Sequence, residues 1–245
     1  MKLTFKLFPI DQITDAHSTH CWKLMEENYD HVKQETFLKD LQNKDYVGIL
    51  FDEKDEIKGF TTFGVNPNSC GTQEYSILFS GDTIIHPACW GTQEMIRGGV
   101  RAAGSIMATD PEKKWYWFLI SKGHRTYLYL PLFFHQYYPA RDSHRHHPAY
   151  QQIVDRCASF MFREAWQADK GIIRFPQKLG QLKSSLAAST WQKKKNPNVA
   201  FFLEKNPYFH EGEELACLTE LHPDNVHIRL RQELINGMQQ PAYAH

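Results

Sequence analysis

The apolar positions change period several times along the chain, and each change marks an element. Leu3, Phe5 and Leu7 alternate with polar neighbours, the period of a half-buried strand. From Asp11 to about Lys44 the spacing lengthens to that of two helices. The second covers Gln34 to Asn43, with Phe37, Leu38 and Leu41 on one side. Three apolar runs follow at about 46–52, 57–65 and 75–86, and the acidic turn Asp52-Glu53-Lys54-Asp55-Glu56 joins the first two as a hairpin. Thr92 to Thr109 predicts a helix with Met95, Ile96, Val100, Ala103 and Met107 facing inward. Its glycines Gly98, Gly99 and Gly104 weaken it but permit close packing. Asp110-Pro111 closes that helix, and Trp115 to Ile120, apolar on both faces, predicts a buried strand.

Beyond this point the pattern is more mixed. Arg125 to Tyr138 predicts an aromatic helix kinked near Pro131. Residues 140–195 predict an insertion with a helical run from Pro148 to Ala168, a short strand at Ile172–Phe175 and a helical run from Lys178 to Thr190. Val199–Leu203 and Glu214–Leu218 predict the last two strands. Asp224 is the N-cap candidate of a closing helix over about 223–238, with Val226, Ile228, Leu230 and Leu234 apolar. The elements run β-αα-βββ-α-β-α, an α/β (α+β) chain forming a single domain over 1–245.

Composition narrows the function classes. At 245 residues, with 42% hydrophobic and 13% aromatic, the chain builds a sizeable core and is not a disordered segment. Lys+Arg and Asp+Glu are 28 each, which argues against nucleic acid as a partner. No apolar run approaches the roughly 18 residues of a membrane span, and the short alternating start does not read as a signal peptide. Five scattered cysteines without a CxxC pair fit reduced thiols in a cytoplasmic protein.

Ile57-Lys58-Gly59-Phe60 after the hairpin, and Ile84-Ile85-His86-Pro87-Ala88-Cys89-Trp90-Gly91 before the glycine-bearing helix, carry a resemblance. Together with the element order, the chain resembles the GNAT N-acetyltransferase superfamily as a divergent member. That resemblance implies a mixed, mostly antiparallel central sheet flanked by helices; the helical insertion of 140–195 ahead of the last strands is a departure from a minimal member. It also implies a pyrophosphate-binding loop at the start of the glycine-bearing helix. A helix N-terminus offers free amides and a favourable dipole there. The loop is altered: Trp90-Gly91-Thr92-Gln93 keeps one glycine and lacks a second glycine and a basic residue. Backbone groups of Trp90, Gly91, Thr92 and Gln93 would hold the phosphates, with Arg97 offsetting the charge of Glu94.

Candidate chemistry starts at Ser80-Gly81-Asp82, where a glycine inside an apolar strand marks a bulge or a close backbone approach. The resemblance places donor and acceptor in the gap beside this strand. Asp82, His86 and Glu74 are then candidates for a base that deprotonates an amine; the bland readings are a turn residue at Asp82 and a rim position for His86. Tyr127 and Tyr129 are candidates, by the same resemblance, for protonating the leaving thiolate, against a plain core role. Cys89 beside the helix start is a candidate nucleophile. His135, His144, His146 and His147 lack a metal-ligand spacing, so no metal is expected and a solvated loop is the simpler account. Lys193, Lys194 and Lys195 form a solvated turn, or meet the 3′-phosphate of coenzyme A or an acyl carrier protein.

Two functions follow. The first is an acyltransferase moving an acyl group to a small-molecule amine acceptor. Its donor is acetyl-CoA or acyl-CoA as co-substrate, or an acyl carrier protein. The aromatic residues of 115–138 and an insertion acting as a lid point to an acyl chain longer than acetyl. The second is a catalytically inactive GNAT-like module that binds a small molecule or a protein. Exposed strand edges are compatible with a homodimer, and no membrane partner is expected.

Overall fold

The computed structural model describes residues 2–176 and 180–242. Alternation at the start becomes β1 (Thr4–Pro9), followed by α1 (Asp15–Asn28) and α2 (Gln34–Gln42). Thr14 starts α1 with a capping box, its hydroxyl accepting from the His17 amide at 3.2 Å. The three apolar runs become β2 (Tyr46–Phe51), β3 (Ile57–Val65) and β4 (Tyr75–Ile85). Helix α3 (Glu94–Met107) leads into β5 (Lys114–Ser121). After it come α4 (His124–Tyr127), α5 (Tyr129–Phe133), α6 (Pro148–Phe162), α7 (Ser184–Gln192), α8 (Pro197–Lys205), β6 (Glu214–Glu220) and α9 (Ile228–Met238).

The six strands lie side by side in chain order. Two-residue strands at Ile172–Ile173 and Trp166–Gln167 extend the sheet past β6. Neighbours are antiparallel except β4 and β5, which run parallel from Tyr75↔Lys114 to Ser80↔Leu119. A parallel pair needs a long crossover, and α3 is that crossover. Helices α3 and α9 cover one face: Ile96, Val100 and Leu234 pack on Phe63, Leu78 and Trp117. On the other face α1 and α2 cover β2 and β3 through Leu24, Phe37 and Leu41, while α6 covers β4 to β6 through Ile153, Val154 and Cys157.

Two glycines set these distances. A Cβ on Gly98 would collide with the Phe5 ring of β1, and one on Gly104 with the Leu234 carbonyl of α9. Glu233 of α9 binds both Arg97 and Arg101 of α3 and locks the crossing.

Several expectations are corrected. Val199–Leu203 is helical, inside α8: the Asn196 side chain accepts from the Asn198 and Val199 amides at 2.9 and 3.3 Å, and Pro197 fits the first turn. The 125–138 run is two short helices, after which Phe134 bridges Val226 and Tyr137–Tyr138 pairs with β6, so sheet pairing claims its second half. Helix α6 stops at Phe162, where Arg163 takes φ 48°. The closing helix starts at Ile228 behind His227; Asp224 sits in the preceding turn, its amide donating to His222 Nδ1 at 3.2 Å. Helix α7 begins at Ser184, and the predicted start at Lys178 lies outside the described residues. Helix α6 is no lid. Its Val154, Cys157 and Ala158 are wholly buried in the core.

Candidate active site

Beyond Ser80 and Leu119 the pairing of β4 with β5 stops and the two strands part. On its other edge β4 bulges: Thr61 pairs with Thr83 and Phe63 with Ser80, leaving Gly81 and Asp82 opposite Thr62 alone. A Cβ on Gly81 would lie 3.0 Å from the Thr62 hydroxyl, so a glycine suits the tight side of the bulge. The Thr61 and Thr83 hydroxyls, 2.8 Å apart, tie the strands just past it. A cavity of about 1180 Å³ occupies the gap, and Asp82 lines it.

A parallel pair that opens in an otherwise antiparallel sheet, in the expected order of elements, is the arrangement the resemblance implies. The mixed, mostly antiparallel open sheet flanked by helices is consistent with the GNAT fold. No family model matches the sequence, and no curated protein matches it at a significant level. Among similar solved structures is Escherichia coli ElaA, at 12% identity and a TM-score of 0.39 over 58% of this chain and 90% of that one. Arabidopsis thaliana NAA60, solved with a bisubstrate analogue, has 12% identity and a TM-score of 0.38 over 58% and 92%. A conserved Enterococcus faecalis V583 protein of unknown function, called a probable N-acyltransferase, has 10% identity and a TM-score of 0.40. That match covers 56% of this chain, which spans only 33% of the other.

Within this sheet Asp82 is a half-buried carboxylate of the cavity wall. Burial, with Asp40 and Glu214 nearby, pushes its carboxyl up to about 6 against the pull of Lys44 and Lys122. Both lysines are themselves paired, Lys44 with Asp40 at 2.8 Å and Lys122 with Glu214 at 3.3 Å. The Lys122 ammonium also lies 5.3 Å from the Tyr29 ring centre. A carboxylate with a pKa near 6 is a better base than a free one and is still ionised at neutral pH.

The loop between β4 and α3 forms another part of the wall. Trp90, Gly91, Thr92 and Gln93 all line the cavity. Gly91 has φ +94°, a conformation that favours glycine. The Thr92 amide donates to Cys89 and the Glu94 amide to the Thr92 hydroxyl; the Gly91 and Gln93 amides have no acceptor among the described residues. Trp90 is anchored by its indole N–H to the Ile85 carbonyl at 2.9 Å, and the Arg125 guanidinium lies 3.6 Å from its ring centre. Tyr129 lines the cavity too, and burial raises its phenol to about 12 despite the Arg125 cation.

Other expected residues lie elsewhere. Tyr127 is wholly buried, outside the cavity, and its hydroxyl donates to the Pro139 carbonyl at 3.0 Å. His86 caps the turn after β4, its Nδ1 accepting from the Ala88 amide at 3.2 Å. Glu74 precedes β4 at its opposite end, roughly 26 Å from Asp82 along an extended strand. Arg97 turns away from the loop to Glu233, at 2.7 Å, and to Glu94, at 3.5 Å. Cys89 is buried and burial raises its thiol, the opposite of an activated nucleophile. Lys193 to Lys195 are exposed. His147 caps α6 through its Nδ1, and among the described residues no group of three or more His, Cys, Asp or Glu is placed for a metal.

Sequence reasoning missed Tyr29, Lys122, Arg125 and Glu214. For Lys122 and Arg125 a signal existed: basic residues on either side of Gly123, immediately after a buried strand. Glu214 opens an otherwise apolar strand, while nothing in the sequence connects Tyr29 to Asp82.

Proposed function

We propose that the chain is an acyltransferase that moves an acyl group from a thioester to an amine. The observation that carries this is Asp82: a carboxylate of raised pKa, aimed by a bulge into a cavity at the point where β4 and β5 part. An ammonium acceptor entering the cavity would give its proton to Asp82. The neutral amine would then attack the thioester carbonyl, forming the C–N bond as the C–S bond breaks. Tyr129, neutral at physiological pH because its phenol sits near 12, would hand its proton to the departing thiolate. The thioester arm, from acetyl-CoA, acyl-CoA or an acyl carrier protein, would enter between the parted strands with its phosphates towards Trp90, Gly91, Thr92 and Gln93.

A second reading, a binding module without turnover, is favoured by one feature: Arg97, the nearest basic residue of α3, is committed to Glu233 rather than to the loop. Thiol release separates the two. Purified protein given short- and long-chain acyl-CoAs and a panel of small amines is expected to release free thiol. Asp82→Asn should suppress that release while the fold survives. Thiol release equal in wild type and Asp82→Asn would remove the assignment.

A further inference from the structure

Arg125 is the arginine of the cavity wall, which it shares with Lys33, Lys44 and Lys122. Lys44 and Lys122 have carboxylate partners, and Arg97 and Arg101 are held by Glu233. Arg125, half-buried at the start of α4, pairs with no carboxylate among the described residues. What holds it is the Trp90 ring, itself pinned to the end of β4 through Ile85. A cation–π contact uses one face of the guanidinium and leaves its edge N–H groups to donate. A cation withdrawn from water without an anionic partner is unfavourable, and burial accordingly disfavours the charged form of Arg125.

The surroundings suit an anion brought by a ligand. A Cβ added to Gly91, next to Trp90, would meet nothing within 4 Å, so the space beside the loop is open. The unclaimed Gly91 and Gln93 amides belong to the same cavity wall as Arg125. Donors following β4 and β5 thus border one opening between the parted strands. The guanidinium fork matches the paired oxygens of a phosphate.

We propose that Arg125 binds the phosphate of the donor's pantetheine arm, supplying from the β5 side the cation that the loop after β4 lacks. The proposal rests on the acyltransferase reading for the identity of the arm. Coenzyme A and the phosphopantetheine of a carrier protein share this phosphate chemistry, and titrations distinguish them.

The experiment is calorimetric titration of the full chain with coenzyme A, inorganic pyrophosphate, pantetheine and holo acyl carrier protein, in wild type, Arg125→Gln and Arg125→Lys. Arg125→Gln should weaken the phosphate-bearing probes roughly ten- to a hundredfold and leave pantetheine, which has no phosphate, unchanged. Arg125→Lys keeps the charge without the fork and should fall between, and it serves alone if Arg125→Gln does not fold. Arg125 dependence with coenzyme A identifies a free coenzyme donor; dependence confined to the holo carrier protein identifies a carried one. Equal binding of the phosphate-bearing probes by wild type and variants overturns the proposal, as does wild type that binds none of them. Arg125-dependent phosphate binding in a protein with no acyl transfer would retain the phosphate site and sink the acyltransferase reading instead.

Discussion

Asp82→Asn is expected to raise stability while removing activity. In the folded chain the Asp82 carboxyl is raised from its ordinary 3.8 to about 6, chiefly because burial disfavours the anion. Below about pH 4 the group is neutral in both folded and unfolded states and contributes no penalty. Between about 4 and 6 the folded state holds a proton that the unfolded state has released, so stability falls as pH rises. Above 6 the full penalty is present. The difference from 3.8 to about 6 corresponds to ~3 kcal/mol against the charged form. Lys44 and Lys122 already act within that value; solvent screening of a half-buried group that lines an open cavity brings the expected gain on neutralisation down to the order of 1–2 kcal/mol. Urea midpoints at pH 5 and pH 8 test this: Asp82→Asn should gain at pH 8 and gain clearly less at pH 5. Thiol release should meanwhile drop by roughly 10²–10⁴, the usual value of a general base, and wild-type kcat/KM should decline as pH falls through about 6. A variant less stable than wild type at pH 8, or one equally stabilised at both pH values, would refute the buried-carboxylate argument.

The two tyrosines should separate. Tyr129→Phe should fold normally and slow thiol release by about 10²-fold or more, whereas Tyr127→Phe should leave the rate alone and cost about 1 kcal/mol in urea titration through the unpaired Pro139 carbonyl. Gly237→Ala puts a methyl group against the Arg101 carbonyl where α9 crosses α3, and should cost about 1–3 kcal/mol by thermal unfolding; an unchanged Tm would mean the crossing is looser than drawn. Burial raises the Glu233 carboxyl, but Arg101 and Arg97 outweigh this and hold it below its ordinary 4.5. The stability that Glu233 adds is therefore present above 4.5 and lost as pH falls through its lowered value, so wild type and Glu233→Gln should converge in acid denaturation.

Much of the scaffold was legible because its signals are local. Period-two alternation at Leu3, Phe5 and Leu7, the acidic turn between the apolar runs of the hairpin, the closing Asp110-Pro111 and the doubly apolar Trp115–Ile120 each specify an element without help from elsewhere. Gly81 was equally informative: a glycine inside an apolar strand predicted the bulge that the β3–β4 register contains. Val199-Ala200-Phe201-Phe202-Leu203 misled because a short apolar run suits a strand or a buried helix equally. The deciding information stood just upstream in Asn196-Pro197, an N-cap followed by a residue preorganised for the first turn. Tyr137 and Tyr138 misled differently, since pairing with Leu218 and Thr219 depends on a strand some eighty residues on.

The candidate site was legible only where its chemistry lies on one strand or one loop. Asp82 and the Trp90–Gln93 loop announce themselves through glycines that release the backbone. What sets the Asp82 pKa does not, because Asp40 and Lys44 follow from α2, Lys122 from the end of β5 and Glu214 from β6. Their charges cancel in the composition and meet only in three dimensions. Arg125 is the same case in reverse. In sequence it is one basic residue in an aromatic segment, and its distinction is relational: Lys44, Lys122, Arg97 and Arg101 each have a carboxylate, and Arg125 has an indole. On the proposal made above, the Trp90–Gln93 loop after β4 and Arg125 of α4 serve one phosphate from two sides of the opening between β4 and β5, and motif matching along the chain tests each segment separately.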